Sequence, residues 1–346
     1  VEIKAFPAGH WWHSEYGLNQ YYSLGRESFI EQQLASGPVE MSVSAIREKL
    51  HAAVEKRMIA DRDVAVGVSL SGGLDSSVVA ALARESKESL NTFVVGIRDS
   101  DDMAASFQVA NYLGTRHHAY QYAFEEMIEA LPEVIYHLES FDAALVRSAI
   151  PNYFLAKLAS EHVKVILTGE GADELYAGYD YLEPVSDPGH LQSELLTITG
   201  SLHNTNLQRA DRMSMAYGLE ARVPFLDKAF VDYSLALPPE WKLRTNGWTE
   251  KELLRRAFKG MVPEHILNRP KQKFSDGAGS IDLLAAYANQ QISDEEFGQH
   301  IADPEEEFVR SKEELYYLQL FRSLFGEGLS PRLVGRTRSV TEGELS

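Results

Sequence analysis

VAVGVSLSGGLDSSVV, residues 64–79, is the stretch whose reading decides the fold. Its opening residues are rich in Val and Ala and alternate little in polarity, which predicts a strand buried on both faces of a parallel sheet. A polar turn follows, Ser71-Gly72-Gly73-Leu74-Asp75-Ser76-Ser77, and leads straight into an apolar helical run over residues 78–83. The glycines let the backbone come close to a ligand. Backbone N–H groups and Ser hydroxyls at the helix start can then surround a phosphate or pyrophosphate. The turn has no GxxxxGK[ST] pattern and no lysine, and GxGxxG is absent, so neither a Walker loop nor a dinucleotide fingerprint fits. A plain glycine turn is the bland alternative.

Composition bounds the rest. A chain of 346 residues can bury one large core or two unequal ones, and 44% hydrophobic with 24% charged residues is an ordinary globular balance. No run of apolar residues is long enough for a membrane span, and the start, VEIKAFPAGHWW, has no signal-segment pattern. With no cysteine, disulfides, thiolate nucleophiles and Cys-ligated metals are excluded within this chain, and a cytoplasmic setting is expected. The formal net charge of −18 disfavours nucleic acid as a partner, so a nucleotide ligand would be a small one held locally.

Residues 1–26 carry turns at 7–9 and 15–17 between short aromatic strands. This is either a hairpin folded onto the main domain or the end of a preceding domain, and it leaves an apolar face near Phe6, Trp11, Trp12, Tyr21 and Tyr22. Helical spacing spans 43–58. Strands are predicted at 91–97, 116–122 and 163–167, with helices at 101–113, 124–137 and 153–160 between them. This alternation predicts an α/β fold with a mostly parallel sheet flanked by helices. Beyond about residue 190 the strand signal fades. Helices are predicted at 202–217, 230–237, 251–258, 281–289 and 311–325, and residues 337–346 are expected to form a flexible tail.

Three further stretches carry chemistry. Leu167-Thr168-Gly169-Glu170-Gly171-Ala172-Asp173-Glu174-Leu175 follows a predicted strand, so it should lie beside the first turn. Clustered acids there call for cations or polar substrates, the alternative being an exposed acidic loop. Asp75 and Asp173 suit Mg²⁺ bridging ATP phosphates, Glu170 is left as a proton acceptor or ammonium-orienting group, and Glu174 is readable as structural. In Arg269-Pro270-Lys271-Gln272-Lys273-Phe274-Ser275-Asp276-Gly277, Lys271 or Lys273 can neutralise a pyrophosphate leaving group, against a solvated basic loop. In LQRADRMSM and EARVPFLD, Met213, Met215 and Leu219 read as core, and Arg209 and Asp211 as buried scaffolding for the pocket. Arg222 and Asp227 stay open between structure and substrate positioning. Asp142 and Arg147 lie on one loop-to-helix segment, where the arginine could meet a carboxylate or form an ordinary ion pair. Adjacent His117 and His118 point to opposite faces of a strand and make a poor metal pair.

SGGLDSS between a buried strand and a helix resembles the pyrophosphate loop of enzymes that cut ATP between its α and β phosphates. That group includes asparagine, GMP, argininosuccinate and NAD synthetases. Taken in order, SGGLDSS, ESFDAALVRSAIPNY, LTGEGADELYAGY, LQRADRMSMAYGLEARVPFLD and RPKQKFSDG resemble the synthetase-domain signatures of glutamine-hydrolysing asparagine synthetase. The resemblance covers residues 27–325, and FPAGHWW with the following Tyr pair resembles the family's link from its glutaminase domain. It implies an ATP-pyrophosphatase (adenine nucleotide α-hydrolase-like) fold over residues 27–336, with residues 1–26 as remnant or linker.

The resemblance also implies a reaction and a site. ATP would activate the side-chain carboxylate of aspartate as an adenylate, and ammonia would displace AMP. Ser69, Leu70, Ser71, Gly72, Gly73, Asp75, Ser76, Val95 and Gly169 would hold the nucleotide, with Asp75 and Asp173 on Mg²⁺. Glu170 would take the proton of the attacking ammonia, and Lys271 would stabilise the transition state and pyrophosphate. Thr168 stands where the family often has serine. The glutaminase domain, with its chain-initial cysteine, is not in this sequence, so a glutaminase domain or subunit upstream is the expected partner, and a homo-oligomer is left open. The runner-up readings are a β-lactam-forming synthetase, which resembles a Tyr-Glu relay in place of the glutamate, and a non-catalytic nucleotide-binding protein.

Overall fold

The computed structural model describes residues 6–24, 37–61, 64–98, 100–245, 247–270, 281–302, 308–328 and 334–337. Near the start, β1 (His10–His13) and β2 (Gly17–Gln20) form the expected antiparallel hairpin. Phe6, Trp11, Trp12 and Tyr21 are exposed on it. Tyr22 is not part of that face. Its hydroxyl donates to Asp232 at 2.8 Å and Lys228 sits over its ring, so it fastens the hairpin to the body.

Strands without a polar face need cover on both sides, and the central sheet has it. β3 (Val66–Ser69), β4 (Asn91–Gly96), β5 (Arg116–Gln121), β6 (Val165–Leu167) and β7 (Glu220–Arg222) form one sheet in the order β5-β4-β3-β6-β7, every pair parallel. The chain runs outward through β4 and β5 and then returns to place β6 on the other side of β3. Such a reversal opens a crevice at the carboxyl ends of the two strands flanking it. Val68 is registered with Leu167 there, so the turns after β3 and β6 begin side by side.

Helices close both faces. Those along the first part of the chain are α1 (Val39–Met58), α2 (Leu74–Ser86), α3 (Asp101–Leu113), α4 (Phe124–Leu138), α5 (Ala143–Ser160) and α6 (Ala172–Leu175). The later ones are α7 (Pro188–Ser201), α8 (Asn206–Met215), α9 (Lys228–Ala236), α10 (Glu252–Ala257), α11 (Glu264–Leu267), α12 (Ile281–Gln291), α13 (Asp294–Ile301) and α14 (Lys312–Phe325). Val66, Val68, Val165 and Leu167 share one core with Ile46 and Leu50 of α1, Val78 and Leu82 of α2, and Phe230 of α9. Phe93, Val95 and Ile166 share the other with Leu131 and Val134 of α4, Phe154 of α5 and Leu318 of α14. Each fully buried aliphatic or aromatic side chain contributes about 1.5–3 kcal/mol. The α/β class, the parallel sheet and the mainly helical second half are as the sequence predicts.

Local departures have physical causes. The helix expected at 153–160 starts at Ala143, capped by Asp142, whose Oδ1 accepts from Leu145 N at 3.0 Å. Pro151 argues against helix ahead of it, but burial of Val146, Ala149 and Ile150 overrides that preference. No helix is predicted over the residues of α7. It starts at Pro188 after Asp187, which accepts from His190 N at 2.6 Å. β7 is three residues long and exists by pairing with β6. Met213 and Leu219 are core, whereas Met215 is 55% exposed, contrary to the expectation for it. Thr337 donates from its backbone N and Oγ1 to Asp142 at 3.0 and 2.7 Å, and residues 338–346 lie outside the described part.

His117 lies 2.9 Å from Thr92 Oγ1 and 3.1 Å from Ser106 Oγ, and His118 stacks on both Phe93 and His162, so both histidines are structural. Lys242 is a buried cation next to the first core. It is 5% exposed, and its Nζ donates to the Ser234 carbonyl at 2.5 Å. Burial pushes its pKa down to about 7. The unfolded chain takes up this proton near the ordinary lysine pKa, so between about pH 7 and 10 it binds more protons than the native state. Stability from this group therefore rises with pH across that window and is flat below it. Lys242→Met should remove a slope of up to about 1.4 kcal/mol per pH unit. Urea unfolding of both proteins from pH 6 to 10 checks it; parallel curves would refute it.

Candidate active site

The turn after β3 is built by its own hydroxyls. Ser76 Oγ accepts from Ser71 N at 3.2 Å and donates to Gly73 O at 3.3 Å, and Ser71 Oγ lies 3.1 Å from Ser76 Oγ. These bonds curl the backbone so that the first N–H groups of α2 end the turn, where the helix carries partial positive charge. The turn after β6 is set against it. Thr168 N donates to Arg222 O at 2.9 Å, carrying the sheet pairing one residue beyond the strand. A Cβ on Gly169 would stand 3.0 Å from Asp75 Cβ and 3.1 Å from Ser76 N, so the two turns touch there.

A cleft of about 450 Å³ opens at this junction. From the first turn it is lined by Ser69, Ser71, Gly73, Asp75 and Ser76, and from the second by Thr168, Gly169, Glu170, Asp173 and Glu174. The candidates drawn from two distant stretches thus share one cavity. Leu70, Gly72 and Val95 do not line it; Leu70 and Val95 lie in the two cores. Lys271 and Lys273 lie outside the described residues. The start of their stretch does reach the cleft, through Arg269 and Pro270.

Charges are matched across the cleft. The Arg209 guanidinium, on α8 and 6% exposed, pairs with Glu170. Lys251 Nζ lies 2.5 Å from both Asp75 Oδ2 and Asp173 Oδ1. Burial works against that ammonium, but Asp173, Asp75 and Glu250 outweigh it and raise its pKa well above the usual lysine range. Glu174 is nearly inaccessible. It accepts from the Tyr179 hydroxyl and from Asn206 Nδ2 at 3.0 Å, and burial together with the Asp173 charge pushes it up to about 7. Asp102 accepts from Arg269 at 2.9 Å, and burial raises it to about 6 against the pull of that arginine.

Several sequence candidates serve structure instead. Arg147 pairs with Glu313 of α14, so the arginine on this segment forms an ordinary ion pair while Ser148 and Asn152 of the same helix line the cleft. Asp142 caps α5 and lies within 4 Å of Arg310 and Arg336. Arg222 binds the Arg57 and Ile59 carbonyls at 2.7 Å each, and Asp227 pairs with Lys56 and Arg57 while capping α9. Asp211, expected as buried scaffolding, is exposed. The residues missed from sequence are Lys251, Tyr179, Asn206 and the Asp102–Arg269 pair. Lys251 is 176 positions from Asp75, and no local pattern marks a side chain whose partners are that far away.

This chain matches the asparagine synthase family over residues 45–189 and 183–341. It is 37% identical over 94% of its length to a probable glutamine-hydrolysing asparagine synthetase of Schizosaccharomyces pombe, covering 63% of that protein. It is also 37% identical to glutamine-hydrolysing asparagine synthetase 2 of Arabidopsis thaliana, over 94% of this chain and 58% of the relative. Among solved structures it is similar to an NMN synthetase from Francisella tularensis, at 14% identity and a TM-score of 0.39 over 88% of this chain and 99% of the other, a likeness too distant to carry an argument. The chain spans about three-fifths of the length of the curated relatives. No described helix is long and apolar enough to cross a membrane. With the family match extending over both turns that meet at the cleft, this chain belongs to the asparagine synthase family.

Proposed function

We propose that this chain is the ATP-dependent, amide-forming part of a glutamine-hydrolysing asparagine synthetase. It would adenylate the side-chain carboxylate of aspartate and pass ammonia to it, giving asparagine, AMP and pyrophosphate. The observation that carries this reading is the meeting of the SGGLDSS and TGEGAD turns in one cleft at the strand-order reversal, with Asp75, Glu170 and Asp173 on its wall. The first turn would hold the pyrophosphate end of ATP on its backbone N–H groups and on Ser71 and Ser76. Lys271, beyond the described residues, would meet the leaving pyrophosphate from the stretch anchored by Arg269.

The donor set suits Mg²⁺. Two carboxylate oxygens already converge on one cation, the Lys251 ammonium, at 2.5 Å each. One or two protein carboxylates completed by phosphate oxygens and water are the usual way this ion is held beside a nucleotide. Bound there, it would neutralise phosphate charge and polarise the leaving group.

A carboxylate is a poor electrophile until one oxygen becomes part of a phosphate-ester leaving group, and the amine must attack neutral. The Glu170 carboxylate, held to the wall by Arg209, would accept the proton that ammonia loses as the amide bond forms. The adenylate must also be kept from water, and α7, α8 and the short turn between them line the cleft with Ile198, Asn206 and Leu202 respectively. Residues 27–336 would make up this synthetase unit. Residues 1–26 would lead from a glutaminase domain or subunit, whose docking would cover the aromatic side chains exposed on the hairpin.

Pyrophosphate release that requires both ATP and aspartate tests the reading; a binding or scaffold protein would release none. Asp75→Asn and Asp173→Asn should each abolish release while circular dichroism shows a folded protein. Near-normal turnover of either variant at saturating Mg²⁺ would remove the assigned role.

A separate outcome distinguishes amide formation from adenylation. Glu170→Gln keeps the shape of the turn but cannot accept the proton, so amide formation should slow by about 10²- to 10⁴-fold while adenylation is largely kept. Lys271→Ala should instead slow pyrophosphate departure. Rapid-quench assays with ATP, aspartate and ammonia follow the adenylate and asparagine separately. If both steps fall together in Glu170→Gln, the glutamate belongs with activation.

A further inference from the structure

Lys251 reaches the cleft from outside both turns. It stands just ahead of α10 with φ at 55°, a left-handed backbone uncommon for a residue with a side chain. Its side chain is 2% exposed, with Nζ 2.5 Å from Asp75 Oδ2, 2.5 Å from Asp173 Oδ1 and 3.7 Å from Glu250 Oε1. The space for it depends on Gly178. A Cβ there would fall 2.3 Å from Lys251 Cε and 2.0 Å from Asp173 Oδ1. The backbone twist, the missing side chain behind it and the two carboxylates all serve to set one ammonium at one point.

We propose that Lys251 is a built-in counterion that occupies the divalent-cation position, holding Asp75 and Asp173 together until Mg²⁺ arrives with nucleotide and displaces it. The inference rests on the reading of those two aspartates as the cation ligands. Two carboxylates drawn into a partly buried cleft repel each other unless a cation lies between them. An ammonium and a metal ion cannot both occupy that point. Lysine is suited to yield because its charge sits at the end of a flexible stem, whereas an arginine fork would be locked to both carboxylates. Mg²⁺ alone would push the ammonium into a buried space already holding a dication. Mg²⁺ brought by ATP supplies phosphate oxygens that the displaced ammonium can pair with. The site therefore takes cation and nucleotide together, and Lys251 is a positioning residue acting through the two aspartates.

Mn²⁺ serves as the probe, its free form counted by electron paramagnetic resonance, with and without a non-hydrolysable α,β-methylene ATP analogue. The unaltered protein should bind Mn²⁺ weakly alone and tightly with the analogue. If the ammonium vacates its place less than about a tenth of the time, Lys251→Met should bind Mn²⁺ alone at least about tenfold more tightly. Adding Asp75→Asn to that variant should remove the gain. Equal affinity for Mn²⁺ alone in the two proteins, with tight binding in both when the analogue is present, would overturn the counterion role and leave the synthetase reading standing. Uptake by neither protein even with the analogue would overturn both. Should Lys251→Met not fold, thermal melting of the unaltered protein decides: Mg²⁺ alone should leave the melting temperature unchanged and Mg²⁺ with the analogue should raise it. An equal rise with Mg²⁺ alone would refute the proposal.

Discussion

Asp75, Glu170, Asp173 and Glu174 bring their carboxylates to a single cleft, and the fold has to answer each of them. Moving a carboxylate out of water costs several kcal/mol unless a cation or a set of donors replaces the lost hydration. Lys251 answers Asp75 and Asp173, Arg209 answers Glu170, and Tyr179 with Asn206 answers Glu174. Except for Tyr179, these partners come from the helical second half of the chain. The helices beyond residue 200 are thus tied to the sheet by charge as well as by apolar burial. The site is part of what joins the two halves.

The sheet decides where that cleft lies. Because β6 returns to the far side of β3, the crossovers leave in opposite directions and the strand ends between them are left uncovered. The two turns fill that gap from either side, and the lack of a Cβ at Gly169 lets them meet. A chain with a net charge of −18 thereby gathers Lys251, Arg209, Arg255 and Arg269 around one cavity. Each of them is set against an acid of the same cleft: Lys251 against Asp75 and Asp173, Arg209 against Glu170, Arg255 against Glu250, and Arg269 against Asp102.

The anchoring of the Arg269 stretch follows the same logic. Arg255 binds the carbonyls of Leu267 and Arg269 and pairs with Glu250 at 2.7 Å, and Arg269 reaches Asp102 on α3. The residue before Lys251 and the residues leading to Lys271 therefore hang from one arginine. Lys242, by contrast, is a cation the cleft does not use; it lies buried against Ser234 and Tyr176.

What the sequence determined by itself was local and periodic. The apolar run before SGGLDSS has no polar face, so it had to be a strand buried on both sides. A glycine- and serine-rich turn between strand and helix could serve as an anion cradle wherever it lay, and alternating elements implied a parallel sheet. The TGEGAD turn was legible for the same reason, because its acids and small residues sit together in the chain. Only the tertiary structure decided which charges meet. Arg147 and Arg209 look alike in sequence, yet one pairs with a distant helix and the other holds Glu170 in the cleft. Lys251 opens a predicted helix with no local mark of its partners, and Asp211 lies two residues from a buried arginine; neither position reveals its exposure. Ion pairing depends on distance through space and on the water removed by packing. Neither quantity exists until the elements are assembled.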